Sequence, residues 1–104
     1  MIETLMALNV TDAELYARYR AEMTPLLTAH GGSFGIDLWV GEVLRSPTDK
    51  PFNRLFSILF PSLERREAFF ANADYKAVRK TWFEPSVSAS TELGRIERPG
   101  SYLK

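Results

Sequence analysis

An α+β fold of order β-α-β-β-α-β is predicted by three features of this 104-residue chain: two stretches with apolar residues at helical spacing, four short stretches of strand character, and capping, glycine or proline residues at the junctions. Residues 3–10, Glu-Thr-Leu-Met-Ala-Leu-Asn-Val, form a short apolar run suited to a strand buried on both faces. Thr11-Asp12-Ala13-Glu14 has the form of a capping box, with the Thr11 hydroxyl placed for the Glu14 amide and the Glu14 carboxylate reaching back. The helix begun there carries Leu15, Tyr16, Tyr19, Met23, Leu26 and Leu27 as an inward stripe, with Arg18, Arg20 and Glu22 largely on the wet side. Pro25 predicts a kink or a local loss of hydrogen bonding, and Gly31 suits the left-handed position that ends a helix.

From Ser33 to Leu44 the side chains alternate as in a strand, with Phe34, Ile36, Leu38 and Val40 opposite Gly35, Asp37, Trp39 and Gly41. A loop at 45–53, with Pro47 and Pro51, separates this strand from a third over Arg54–Phe60. Ser62 caps a second helix that runs through Ala71. Asn72 caps a further segment in which Tyr75, Val78 and Trp82 repeat at helical spacing, so the helix breaks there. Glu84-Pro85 stops it, and Val87 to Glu97 alternates again.

The order is that of a ferredoxin-like βαββαβ sandwich: a four-stranded antiparallel sheet with both helices on one face, in one domain over residues 1–98 with a C-terminal tail at 99–104. The first three strands carry apolar residues on both faces, and helices cover only one. A second copy of the sheet is the simplest cover, which predicts an isologous homodimer.

Four stretches, Tyr16-Ala17-Arg18-Tyr19-Arg20, Ala29-His30-Gly31-Gly32, Phe60-Pro61-Ser62 with Phe69-Phe70 behind it, and Tyr75-Lys76-Ala77-Val78-Arg79, resemble in order and spacing the domain-of-unknown-function family 1330 of the dimeric α/β-barrel superfamily. The resemblance spans most of residues 4–97 and implies a protomer whose sheet pairs with another to close a barrel. It implies no reaction. Relatives in the wider superfamily include cofactor-free monooxygenases, isomerases and haem enzymes that hold ligands between helices and sheet, but none of their catalytic sets maps onto this chain. The segment between Leu44 and Arg54 resembles a feature of one subgroup and is expected to border a pocket mouth.

Composition narrows the function further. The chain has no cysteine and one histidine, which argues against a thiol nucleophile, a disulfide scaffold or a dedicated transition-metal site. Thirteen basic residues balance thirteen acidic ones, but residues 1–50 hold 4 basic and 7 acidic side chains while 51–104 hold 9 and 6. No cluster of Lys and Arg marks a polyanion footprint. An RNA-recognition reading of the same strand order fails because 54–60 lacks glycine and 5–10 lacks an aromatic residue. Without a long apolar run or a basic leader, the expectation is a cytoplasmic protein with no membrane or nucleic-acid partner, and with neither cofactor nor metal.

The pocket candidates are Tyr16, Tyr19, His30, Asp37, Trp39 and Arg54. His30, the one histidine, is either a general base at the pocket end of the helix or a group satisfying that helix's last carbonyls. Gly35 and Gly41 leave room beside Asp37 and Trp39 for a planar ligand, or mark a bulge and a bend. Arg54 either pairs with Asp37 across the hairpin or binds a ligand carboxylate. The tyrosines lie on helix stripes where core packing is the commoner role, and Glu64-Arg65-Arg66-Glu67 is read as a solvated helix face. These features favour a small-molecule-binding dimeric α/β barrel with its pocket between the first helix and the sheet, cofactor-free oxygenase- or isomerase-like if it is an enzyme. The alternative is a non-catalytic dimeric interaction module.

Overall fold

β1 (Ile2–Val10) lies inside the sheet, paired antiparallel with one neighbour from Ile2↔Phe60 to Leu8↔Arg54 and with the other from Ile2↔Glu97 to Val10↔Val87. Thr4, Ala7 and Leu8 are accordingly buried, as expected of a strand with neighbours on both edges. The computed structural model describes residues 1–98, so the tail read at 99–104 falls outside the described residues. Four strands form one sheet in the order β2-β3-β1-β4, with β2 at Ser33–Trp39, β3 at Arg54–Phe60 and β4 at Val87–Glu97. The fold is the predicted ferredoxin-like one.

α1 (Ala13–Ala29) starts one residue later than the capping box implied. Asp12 is the cap, its carboxylate accepting from the Leu15 amide at 3.0 Å. Thr11 is occupied elsewhere, since both its amide (2.8 Å) and its hydroxyl (3.3 Å) donate to the Ser86 carbonyl and tie the end of β1 to the approach to β4. Asp caps at least as well as Thr, so little helix stability is lost by the shift. Tyr16, Tyr19, Met23 and Leu27 are the buried stripe. Pro25 sits on the exposed side, and the helix runs on through it to Ala29. The Ala21 carbonyl loses an amide partner there, at a face open to water. Gly31, at φ 75°, closes the helix with its amide donating to Thr28, while the Gly32 amide donates to Leu27.

β2 ends at Trp39 rather than Leu44. A strand extends only as far as its partner, and Trp39 pairs with Arg54, the first residue of β3. Only the Val40 amide still reaches across, donating to the Asn53 carbonyl at 2.8 Å. Within β2 the register slips between Phe34 and Asp37, which pair with Ile58 and Phe56 respectively. This bulge puts Phe34 and Asp37 on the helix face and Gly35 and Ile36 on the other, so alternation breaks at the glycine, the bulge being one of the two readings its sequence allows.

Ser62 caps α2 (Leu63–Ala71) through the Arg65 amide, and Asn72 both terminates α2 and caps α3 (Ala73–Val78), its side chain accepting from Tyr75 at 3.0 Å. A π-helical turn follows at Arg79–Phe83, where the sequence predicts regular helical spacing, with the Glu84 amide donating to the Arg79 carbonyl at 3.0 Å. Its wider winding brings both Trp82 and Phe83 against the core.

The helices cover one face of the sheet, with Phe60, Phe69, Phe70 and Tyr75 in mutual ring contact between the layers. On the other face Ile36 (51% exposed), Leu38 (49%) and Ile96 (49%) lie open. Glycine is needed at 35 in this arrangement: a Cβ there would strike Ser57 Oγ, which accepts from the Ile36 amide, and come within 3.0 Å of Leu59. Gly35→Ala is therefore expected to destabilise the fold by roughly 1–3 kcal/mol, read as a midpoint shift in urea unfolding with unchanged slope.

Candidate functional site

The bulge in β2 delivers Asp37 to a position between two arginines. Arg54 Nε and Nη2 donate to its two carboxylate oxygens at 2.8 and 2.9 Å, and Arg20 Nη1 and Nη2 donate to the same pair at 3.1 and 3.3 Å. Both guanidiniums thus hold one carboxylate bidentately. Arg20 is fixed further by donating from Nε to the Tyr16 hydroxyl at 2.8 Å and by stacking over Phe34 (4.0 Å) and Phe56 (4.7 Å). Arg54 lies between Trp39 (4.3 Å) and Tyr16 (5.2 Å). Partial burial pushes the Asp37 carboxyl up, but the Arg54 hydrogen bonds and the two positive charges outweigh it and hold the group below its ordinary range.

Beside this cluster, between helices and sheet, lies a cavity of about 360 Å³. Its floor comprises Thr4, Met6 and Leu8 of β1 with Phe56 and Ile58 of β3. α1 contributes Tyr19, Arg20 and Met23, α2 contributes Arg66 and Phe70, and the segment after Asn72 supplies Tyr75, Arg79 and Phe83. Ser90 and Glu92 enter from β4. Most of the wall is apolar, with a few polar groups converging on it, as in small-molecule sites.

The Tyr19 and Tyr75 hydroxyls are 2.8 Å apart. Burial pushes both phenols up, aided at Tyr19 by its partner, so both stay protonated at neutral pH. One hydrogen joins the pair, and the other is left over to donate. Arg66 forms a long 3.5 Å ion pair with Glu92, which Arg95 also approaches at 3.2 Å. Thr4 Oγ1 and Arg66 Nε are buried without a hydrogen-bond partner, and both residues belong to the cavity wall. Among the described residues no group of three or more His, Cys, Asp or Glu side chains is gathered as metal ligands. No described helix is long and apolar enough to cross a membrane.

Of the residues singled out from sequence, Tyr19 lines the cavity, while Tyr16, Asp37, Arg54 and Trp39 form the adjoining ion-pair cluster. His30 stands apart from both. Its Nδ1 is 2.8 Å from the Leu26 carbonyl and its ring meets Phe69 edge-on, the arrangement of a helix-terminal group. Arg66 is a correction to the reading of residues 64–67 as a solvated face: its side chain is only 18% exposed and it packs over Phe70. Its signal in the sequence is a position three and four residues before the inward-facing Phe69 and Phe70. Arg20, four residues after Tyr16 and three before Met23, carries the same signal. Thr4 is marked only by being a hydroxyl in an apolar central strand.

Residues 4–86 match the family described as Domain of unknown function (DUF1330). The chain belongs to this family. No curated protein matches it. The DUF1330 chain is similar in structure to a protein of unknown function from Rhodopseudomonas palustris, at a TM-score of 0.76 and 19% identity over 96% of this chain and 83% of that one. It is also similar to a dabb family protein with a ferredoxin-like fold from Mesorhizobium loti (TM-score 0.63, 16% identity, 95% and 97% covered). A third similar structure is a dimeric ferredoxin-like protein of unknown function from Thermobifida fusca (TM-score 0.57, 12% identity, 91% and 88% covered). At these identities the likeness establishes the fold.

Because the Asp37 carboxyl is held below its unfolded range of about 3.9, its contribution to stability is present above that pH and is lost as pH falls through the lower folded value. Asp37→Asn is expected to cost about 1–2 kcal/mol at pH 7. The gap between the variant and the parent should close on acidification below about pH 4, as checked by urea unfolding across that range.

Proposed function

We propose that the protein is a homodimeric α/β barrel that binds a small molecule in the cavity between its helices and its sheet. The observation that carries this reading is the cavity itself. Its volume of about 360 Å³ falls within the size range of small-ligand sites, and its apolar wall includes polar groups from both layers. The space is half open to solvent beside the exposed Ser90 and Glu92 of β4, so a ligand has a way in. The Tyr19–Tyr75 pair and the Arg20–Asp37 fork hold groups around it in fixed positions, so a ligand meets a largely prearranged wall.

The homodimer is supported by a second observation, the apolar face opposite the helices. Ile36, Leu38 and Ile96 are about half exposed there, around a half-buried Leu5. An open apolar surface of this kind, with Glu3 and Ser57 set among its aliphatic side chains, is characteristic of an interface. A second copy of the same sheet would cover it in an isologous contact that leaves each cavity under its own helices. The similar Thermobifida fusca protein is described as dimeric.

Two experiments test the reading. Ser90→Trp places an indole in the cavity from a strand-edge position that is exposed in the parent. Saturation-transfer NMR with a panel of small aromatic compounds, neutral and charged, is expected to show binding to the parent and its loss in this variant at retained thermal stability. Binding unchanged by Ser90→Trp, or no binding by the parent, would refute the ligand site. For the dimer, Ile36→Lys is expected to convert a sedimenting species of twice the 11.8 kDa chain mass to one of chain mass. A parent protein already at chain mass at micromolar concentration would refute the dimer.

A further inference from the structure

The geometry points to a carboxylate as the group the cavity recognises, carried on a small apolar acid with Arg66 as its principal partner; this rests on the cavity being a ligand site. The wall holds more positive than negative charge. Asp37 is shared by Arg20 and Arg54, and Glu92 is shared by Arg66 and Arg95, so each carboxylate neutralises one of the two guanidiniums it meets. The excess at Asp37 is spread over two fully engaged forks. At Glu92 it is not.

Arg66 meets Glu92 through Nη2 at 3.5 Å, the long limit of hydrogen-bond reach, and its Nε has no acceptor at all. An unsatisfied donor on a charged, mostly buried group is among the more costly features a folded protein can keep. Burial, reinforced by the charge of Arg95, disfavours the guanidinium's charge more than Glu92 and Glu67 favour it. Thr4, fully buried on the central strand, adds a hydroxyl without a partner to the same wall. A carboxylate brings the negative charge that Arg66 lacks and two oxygens in the plane of a guanidinium, and Thr4 places a hydroxyl donor on the same wall.

The rest of the wall indicates what the carboxylate is attached to. Met6, Met23, Phe34, Phe56, Phe70 and Phe83 surround most of the volume, and an inorganic anion would leave these side chains facing water. An aromatic or branched apolar body fills that space instead. The spare hydrogen of the Tyr19–Tyr75 pair offers a second, neutral donor for a carbonyl or hydroxyl on that body.

Isothermal titration of the full-length protein with benzoate, phenylacetate and 3-phenylpropanoate, each against its primary amide and against inorganic phosphate, tests this. At least one acid is expected to bind about tenfold or more tightly than its amide, and phosphate is expected not to compete. Arg66→Gln should abolish the preference for acid over amide while leaving amide affinity within about twofold. Thr4→Val, which replaces the unpaired hydroxyl by a methyl of the same shape, should weaken acid binding several-fold without lowering the melting temperature of the free protein, a combination that a purely structural threonine would not produce. Amides binding as well as acids, a preference that survives Arg66→Gln, or phosphate binding as tightly as the acids would overturn the carboxylate assignment while leaving the ligand site standing. Absence of binding by every acid and amide would remove both.

Discussion

The Asp37 carboxylate joins three chain segments that no backbone hydrogen bond connects as a group: α1 through Arg20, β2 through its own backbone, and β3 through Arg54. Its position depends on the slip in register between Phe34 and Asp37, without which one of those two side chains would face away from the helices. Once Asp37 is in place, the two guanidiniums stack on Tyr16, Phe34, Phe56 and Trp39 with their charges partly balanced. Without the carboxylate, two like charges would lie side by side among aromatic rings. The edge of the cavity on the α1 side is therefore set by an electrostatic requirement as much as by shape.

The other side of the cavity is bounded differently. α2 and α3 are short, separated at Asn72 by a residue in extended conformation, and followed by a π-helical turn. Aromatic contacts among Phe60, Phe69, Phe70 and Tyr75 hold this side against the sheet. A single long helix would lie straight across the strands, whereas the break lets Arg66 and Phe70 approach from one direction and Tyr75, Arg79 and Phe83 from another. The space between them is the volume the two directions leave unfilled.

Features fixed by local chemistry were legible in the sequence. Ser62 and Asn72 cap because their side chains reach amides three residues on, and Gly31 ends α1 because few other residues tolerate its φ. The pairing of Arg54 with Asp37 was readable because both lie on one hairpin. Features that depend on a distant partner were not. The end of β2 is set by where β3 begins, and the cap of α1 is displaced because Thr11 is engaged by Ser86, far along the chain. Arg20 and Arg66 carry charge at positions that helical spacing places near the inward stripe, and their charge masked that placement. The pocket itself was legible only as a layer between helices and sheet: Tyr19 was identified, but Thr4, Arg66 and Glu92 are brought together from β1, α2 and β4 by the strand order.

β1 presents Thr4 and Met6 to the cavity and Leu5, the residue between them, to the opposite face. One peptide plane on each side of Leu5 is all that separates the two surfaces, and the ladder to β4 is irregular at this point, between Leu5 and Met6. Strain introduced from one face is therefore carried by the same backbone bonds that shape the other. On the proposed reading, a compound in the cavity and a sheet docked against the open face would share a single strand as common ground, and any change that one made in that strand would be felt by the other.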